Sequence, residues 1–230
     1  MRIFLFVFLL LSINNSAYSQ KSEIGNWFIY FGNQKINQKW NWHNEIQYRN
    51  YDFVGDTNQL LLRTGLGYNL TENNNNVLLG YAFINTKKYI PNSDQKQESN
   101  EHRIFQQFIT KQNLGRFYFI HRYRLEERFL TEDFQVRFRY FLNANIPLNK
   151  KKLDKNAIYL SAYNEIFLNT EKPLFDRNRI YAALGFVINN NFKVEAGFMS
   201  QILEQSNRNQ FQIVIFNNLP INNKKYENIK

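Results

Sequence analysis

The sequence predicts an all-β protein: an antiparallel transmembrane β-barrel of about 10–12 strands with a polar, arginine-rich lumen. Between Arg116 and Ile146, apolar and polar residues alternate through two successive long segments, so each predicted strand has an aromatic face and an arginine face. Most predicted strands are about twice as long as the roughly five or six residues usual in globular proteins. The chain is 17% aromatic, yet its mean hydropathy is −0.54. A barrel explains this combination, because only every second residue faces lipid.

The start of the chain predicts export. Met1 and Arg2 give a short positive end, an apolar run follows over Ile3–Leu11, and small residues precede a cleavage site after Ser19. That run is about half of the roughly 20 residues that a membrane-spanning helix needs. We therefore expect a signal peptide over 1–19, an outer-membrane barrel over 20–218 and a polar tail over 219–230. The chain has no cysteine, which excludes a lipoprotein and a disulfide framework.

Eleven segments have the alternation and length of barrel strands, and polar or glycine-containing turns separate them. The predicted strands are 26–33, 39–50, 58–69, 77–86, 101–111, 116–130, 134–146, 157–169, 178–188, 192–203 and 209–217. Later in the chain no apolar run is long enough to predict a membrane-spanning helix.

The predicted connections differ in length. Short turns rich in asparagine or glycine lie at 71–76, 112–115 and 189–191, whereas longer polar loops are predicted at 87–100, 170–177 and 204–208. Outer-membrane barrels place their short turns in the periplasm and their long loops outside. In this orientation the ten predicted strands from 39 to 217 begin and end on the periplasmic side, as they should. Segment 26–33 is then an eleventh strand, although bacterial single-chain barrels have an even number. Segment 26–33 then lies in the lumen or on the periplasmic side, or another strand is missed or split.

A secreted soluble sandwich or lipocalin also alternates its faces. The amount of bulk on the apolar face favours the membrane barrel, because a small soluble barrel has no interior volume for so many large side chains. The opposite face carries small residues among its charges, which suits a narrow lumen. Those small residues are Gly65, Gly67, Gly80, Ala82, Ala183, Gly185 and Gly197.

Six motifs together resemble the DUF2490 family of Bacteroidetes-type envelope proteins, in order and in approximate spacing, over nearly the whole mature chain. The motifs are WNWHNEIQYR at 40–49, EHRIFQQ at 101–107, HRYRLEERF at 121–129, RFRY at 137–140, YNEIF at 163–167 and NRIY at 178–181. The resemblance implies an envelope location and a barrel fold. The family is defined without a known activity, so the resemblance implies no reaction.

Because every second residue of a strand faces the same side of the sheet, this strand parity assigns a row of charged residues, the charge ladder, to the lumen. Basic groups outnumber acidic groups in it. Its candidate site residues are Glu45, Arg103, Arg122, Arg124, Glu126, Arg128, Arg137, Arg139, Glu165 and Arg179. The same parity holds for Lys39, His43, Arg49, Arg63, Glu101, Lys193 and Glu195. One interpretation is structural, in which Arg–Glu pairs fill and stiffen a narrow barrel. The other is a small anion-preferring pore or a site for anionic ligands.

Other functions have less support in the sequence. The net charge of +10 invites nucleic acid as a partner, but the basic groups alternate within strands and form no known binding motif. Lipid hydrolysis would need a nucleophile beside a base, and the candidates are His43 with Glu45, and Ser161 or Ser200. Three scattered histidines predict no metal site. We expect a non-enzymatic barrel without a cofactor, in contact with outer-membrane lipid and open to small anionic solutes as partners; its oligomeric state stays open.

Overall fold

A computed structural model describes residues 24–72 and 74–221. They form a closed barrel of eleven strands, which confirms the predicted all-β barrel of 10–12 strands. The strands are β1 (Ile24–Lys35), β2 (Trp40–Asn50), β3 (Thr57–Asn69), β4 (Asn75–Tyr89), β5 (Lys96–Leu114), β6 (Phe117–Phe129), β7 (Phe134–Pro147), β8 (Ile158–Asn169), β9 (Phe175–Val187), β10 (Phe192–Ile202) and β11 (Asn207–Asn217). The predicted signal peptide and most of the predicted tail lie outside the described residues. In the part of the chain described, no helix is long and apolar enough to cross a membrane.

The barrel closes through β1. This strand pairs antiparallel with β2 and parallel with β11, whereas every other neighbouring pair is antiparallel, so the sheet is mixed. The strand number is therefore odd, and of the alternatives left open for 26–33 neither holds: the segment is a strand of the wall and lies neither in the lumen nor on the periplasmic side, and the described residues contain no twelfth strand. The segment fits the wall because successive side chains point to opposite faces of the sheet, so that Trp27 and Ile29 both face inward. Its two edges bond to β2 and β11, which leaves no free sheet edge.

The two ends of the barrel are named here by one residue each. The Ser93 end contains the start of β1 and the connections 51–56, 90–95, 130–133, 170–174 and 203–206. The Asn190 end contains the end of β11 and the connections 36–39, 70–74, 115–116, 148–157 and 188–191. Because the strand number is odd, Ile24 and Asn217 lie at opposite ends. Past β11, the Ile221 N–H donates to the Lys35 carbonyl at 3.0 Å, so this part of the predicted tail lies against the Asn190 end.

The predicted loop 87–100 is wrong. Its first three residues, 87–89, belong to β4, and its last five, 96–100, belong to β5. Only 90–95 connects the two strands. The Asn85 amide bonds to the Glu98 carboxylate at 2.6 Å, and the ammonium of Lys87 lies 3.7 Å from the same carboxylate. Polar side chains can thus line a strand ladder as well as a loop. The longest described connection, 148–157, lies at the Asn190 end with the short turns, so the predicted length asymmetry is absent.

Apolar side chains cover the outer face of the barrel. Their exposed fractions run from 38% to 60%, and they occur on all strands from β2 to β11. They include Trp40, Trp42, Ile46, Leu62, Leu66, Val77, Leu79, Tyr81, Ile104, Phe117, Tyr123, Leu125, Phe129, Phe134, Phe138, Ile158, Leu160, Ile180, Leu184, Phe186, Phe198 and Ile215. This is the apolar face that the sequence predicts to point away from the charges.

The inner face combines small residues with large rings. A Cβ on Gly80 would lie 2.3 Å from the Phe105 ring, and one on Gly185 would lie 2.1 Å from the Tyr159 ring. These glycines therefore make room for the aromatic ring of the residue paired with each of them on the adjacent strand. Apolar groups also pack inside, in a cluster that Trp27, Ile29, Tyr181, Ala183, Met199 and Val214 form.

Candidate functional site

All ten residues of the predicted charge ladder face the lumen. Eight of them are buried, whereas Arg122 and Arg128 are half-buried. The sequence places them there because polar residues recur at every second position of long strands, so they share one face of the sheet. Inward-facing charges from β2, β3, β5, β6, β7, β8 and β9 meet within this interior.

Glu126 on β6 is the centre of the network. Its carboxylate accepts a hydrogen bond from Arg137 Nη2 at 2.6 Å and another from Arg139 Nη1 at 2.5 Å. Three further guanidinium groups approach it, from Arg103 at 3.5 Å, Arg124 at 3.6 Å and Arg63 at 4.0 Å. A single buried carboxylate thus balances positive charge from its own strand and from three other strands, β3, β5 and β7.

Two other carboxylates extend the network. Glu165 accepts hydrogen bonds at 2.6 Å from both Arg122 and Arg139, and Arg179 lies 3.7 Å from it. Because Arg139 contacts both Glu126 and Glu165, it bridges the two clusters. Glu101 accepts from Arg103 and from Arg128, each at 2.6 Å. The planar guanidinium group suits such bridging, since its donors point in several fixed directions.

Asp176 is a member of the network that the sequence analysis missed. The structure begins β9 at Phe175, whereas the prediction placed Asp176 in a loop. Its carboxylate accepts a hydrogen bond from Arg137 Nη1 at 2.6 Å. Polar and apolar residues do not alternate regularly around Asp176, because the pairing of β8 with β9 shifts register there and passes from Arg177 to Phe175.

Aromatic rings fill the spaces between the guanidinium groups. The guanidinium carbons of Arg139 and Arg179 lie 4.3 and 4.6 Å from the centre of the Phe167 ring. On the neighbouring strand β6, Arg124 lies 4.7 Å from the centre of the Phe105 ring. Stacking of cations on aromatic faces is favourable, especially away from water. Strand parity alone predicts both rings, because Phe105 follows Arg103 by two positions and Phe167 follows Glu165 likewise.

The middle of the network has almost no contact with water. Glu126 is 0% exposed, and Glu45 and Arg124 are each 1% exposed. Glu45 accepts from Arg63 at 2.5 Å, so this pair extends the same layer toward β2 and β3. Packed ions and rings therefore surround these three side chains.

The candidate catalytic groups do not come together. His43 lies 3.4 Å from Glu45, and the other charged groups that act on it are the guanidinium groups of Arg63 and Arg124. Ser161 accepts a hydrogen bond from the Asn143 amide at 3.1 Å. His102 and His121 face outward and bond to Tyr81 and Tyr140, at 2.6 and 2.9 Å. Within the described ranges, no three acidic or histidine side chains are grouped as metal ligands.

Comparison with known proteins places the chain in a family without a known activity. No curated protein matches it, and no solved structure matches it. The model of one family, described as "Protein of unknown function (DUF2490)", matches residues 24–212, which run from the start of β1 into β11. The chain therefore belongs to the DUF2490 family.

Proposed function

We propose that this chain is an outer-membrane β-barrel with a closed, charge-filled lumen, and that it serves the cell envelope as a structural barrel. The observation that carries the proposal is the inverted distribution of side chains. Leu79 and Phe198 on the outer face are 60% exposed, whereas Glu126 inside is 0% exposed. Proteins in water rarely expose contiguous apolar patches larger than a few hundred Å². A belt of this kind around the barrel is what a lipid environment requires.

Polar groups on the outer face support a lipid environment because they bond to one another. Trp42 Nε1 donates to Thr64 Oγ1 at 2.9 Å, and the Asn164 amide donates to Asn178 at 2.8 Å. His121 and Tyr140 likewise form a bonded pair across two strands. In hydrocarbon, a polar group that lacks a partner costs several kcal/mol. Such pairing makes these outer positions compatible with lipid.

The strands are long enough for the proposed role. The shortest have 11 residues and β5 has 19, and a tilted strand needs about 9–11 residues to cross the hydrocarbon core. The predicted signal peptide supports export, and a barrel exported across the inner membrane reaches the outer membrane. We therefore propose the outer membrane as its location and lipid as its surroundings.

A second candidate function is an anion-preferring pore. The observation that favours it is the excess of arginines over carboxylates in the lumen, since uncompensated positive charge attracts anions. Closure of the middle layer favours the structural barrel, because Arg124 and Glu126 have almost no exposed surface.

Conductance across planar bilayers distinguishes the two functions. We expect the folded parent protein to be silent. The double variant Glu126→Ser with Arg139→Ser should conduct. It removes one ion pair from the buried network around Glu126 without changing the net charge. A matched control, Lys87→Ser with Glu98→Ser, removes an exposed ion pair at the Ser93 end and should stay silent. Steady anion-selective steps in the parent would contradict the closed lumen and favour the pore.

We further propose that the barrel is not an enzyme. The geometry of His43 supports this, since it lies among Glu45, Arg63 and Arg124. Lipid hydrolysis by the reconstituted parent, lost in His43→Gln and in Ser161→Ala, would contradict the proposal. Equal and negligible rates in all three proteins are expected.

A further inference from the structure

Arg49 is a buried arginine whose charge has no acidic partner. Its Nε donates to the Gln47 side-chain oxygen at 3.0 Å, and its Nη1 donates to the Gln59 side-chain oxygen at 2.5 Å. Both acceptors are neutral amides. Among the described residues no carboxylate oxygen lies within 4.0 Å of this guanidinium group, although every arginine of the predicted ladder has one within that distance. Arg49 is only 8% exposed, so water screens its charge poorly.

A second guanidinium group lies beside the same aromatic ring. The guanidinium carbon of Arg49 is 3.8 Å from the centre of the Trp27 ring, and that of Arg179 is 5.0 Å from it. Arg179 donates from Nε to the neutral Gln201 side chain at 3.0 Å, and its nearest carboxylate, Glu165, is 3.7 Å away. Two positive charges therefore lie close together with little compensation.

Unpartnered polar groups lie next to these charges. Trp27 Nε1, Gln212 Nε2 and both polar side-chain atoms of Gln210 are buried and have no hydrogen-bond partner. Gln210 is 0% exposed and Gln212 is 1% exposed. A buried donor without a partner costs about 1–3 kcal/mol. Three such donors, the N–H groups of Trp27, Gln210 and Gln212, lie on this patch, and an acceptor placed there would pair with them.

The sheet register places these groups on one patch of the inner wall. Trp27 on β1 is opposite Arg49 on β2 and opposite Gln212 on β11. Two residue positions closer to the Ser93 end, Gly25 is opposite Gln210. Trp27, Arg49 and Gln210 lie within four residues of the Ser93 end of their strands, whereas Arg179 and Gln212 lie fifth and sixth from it. The patch therefore extends from the Ser93 end toward the middle of the barrel, and the Ser93 end is the nearer end for most of it.

We propose that this patch binds a small oxyanion, a carboxylate or phosphate group, between Arg49 and Arg179 and beside Trp27. An oxyanion would neutralise the excess positive charge and accept hydrogen bonds from the indole and amide groups. The predicted candidates Arg122, Arg124, Arg137 and Arg139 suit this role less well, because Glu126 and Glu165 already lie against them. The site goes beyond the structural role proposed above, and binding requires only the folded barrel. Lipid does not reach it, since it faces the lumen.

Calorimetric titration of the folded protein in detergent micelles tests the site, with inorganic phosphate and acetate as probes. The parent should bind at least one of them. Arg49→Gln should weaken binding at least tenfold, because it removes the charge without a carboxylate. Trp27→Phe should weaken binding several-fold, since it keeps an aromatic ring but loses the N–H donor. Lys88→Gln is the matched control, because it removes one exposed positive charge at the Ser93 end and should change affinity less than threefold.

Thermal unfolding of the same proteins separates binding from a purely structural role. Phosphate or acetate at saturation should raise the midpoint of the parent, because a ligand that binds only the folded state stabilises it. The same anions should leave the midpoint of Arg49→Gln unchanged. Buried water is the alternative partner for the unpaired groups. Absence of binding by the folded parent, or equal binding by the parent and Arg49→Gln, would overturn the proposal.

Discussion

At the scale of single residues, the lumen depends on a few carboxylates that each balance several guanidinium groups. Glu126 contacts Arg137 and Arg139 directly and lies within 4.0 Å of three more arginines. A buried ion pair adds little stability over apolar packing, but removal of one partner leaves a buried charge uncompensated. The acids are thus the sensitive members of the network, because they are fewer than the arginines.

Glu126 and its neighbour Glu127 provide a matched test. Glu126→Gln should lower the free energy of unfolding by about 3–5 kcal/mol, because it leaves buried arginines without their counter-ion. Glu127 is half-buried on the outer face, where the Gln106 amide donates to it at 3.2 Å. Glu127→Gln should change the free energy by less than about 0.5 kcal/mol. Urea unfolding of both variants in lipid vesicles measures the difference, and equal losses would contradict this account.

Strand parity predicts the placement of the charged residues but not their partners. Arg122 and Glu165 are far apart in sequence, and their contact at 2.6 Å depends on how β6, β7 and β8 are staggered. No single-strand pattern contains that information. Asp176 was missed for a related reason, because a register shift in the neighbouring ladder interrupts the alternation around it.

At the scale of elements, the strand that closes the barrel is the least expected one. An even strand number would leave β1 outside the wall or require a missed or split strand, yet the register of β1 with β11 runs from Ile24 opposite Asn209 to Gly32 opposite Asn217. The sequence predicts a strand at this position, because its residues alternate. It does not predict the partner, since a parallel contact between the first and last strands leaves no local sequence signature.

A disulfide across this contact tests the closure. Phe28 is opposite Ile213, and cysteines at opposed positions of paired strands lie within reach of a disulfide. Phe28→Cys with Ile213→Cys should therefore crosslink on oxidation and change the mobility of the denatured chain, since the bond encloses most of it. Phe28→Cys with Asn217→Cys is the control, because this pair is four positions out of register. The chain has no cysteine of its own to interfere. Crosslinking of both pairs alike, or of neither, would contradict the parallel closure.

The predicted loops show what composition fails to distinguish. Segment 87–100 is mostly polar, which is typical of a loop, but most of it continues the hairpin of β4 and β5. Ladder pairs such as Asn85 with Asn100 and Lys87 with Glu98 use polar side chains on both strands. Beyond the apolar belt, a strand needs no hydrophobic face, so its hydrophobic alternation disappears while its backbone pairing continues.

At the scale of the whole molecule, the barrel has an apolar outside and a charged inside. The alternation in the sequence predicts both faces, and the closed sheet has the predicted faces. What the sequence leaves open is whether the charges fill the lumen or line a passage. That depends on packing in three dimensions, above all on the Phe105 and Phe167 rings that lie among the arginines.

An odd number of strands gives the molecule a further property. Ile24 and Asn217 lie at opposite ends of the barrel, and so do the connections at Ser93 and Asn190. If the barrel spans a membrane, these two ends face different compartments. A barrel that remained in one compartment would expose both ends to the same reagents.

Cysteine labelling of intact cells tests the central claim most directly. Single variants Ser93→Cys and Glu132→Cys mark one end of the barrel, and Lys151→Cys and Asn190→Cys mark the other; the parent without cysteine is the background control. With a membrane-impermeant maleimide, we predict that one pair is labelled in intact cells and the other only after permeabilisation. Labelling of all four positions in intact cells, or of none until permeabilisation, would contradict a barrel that spans the outer membrane.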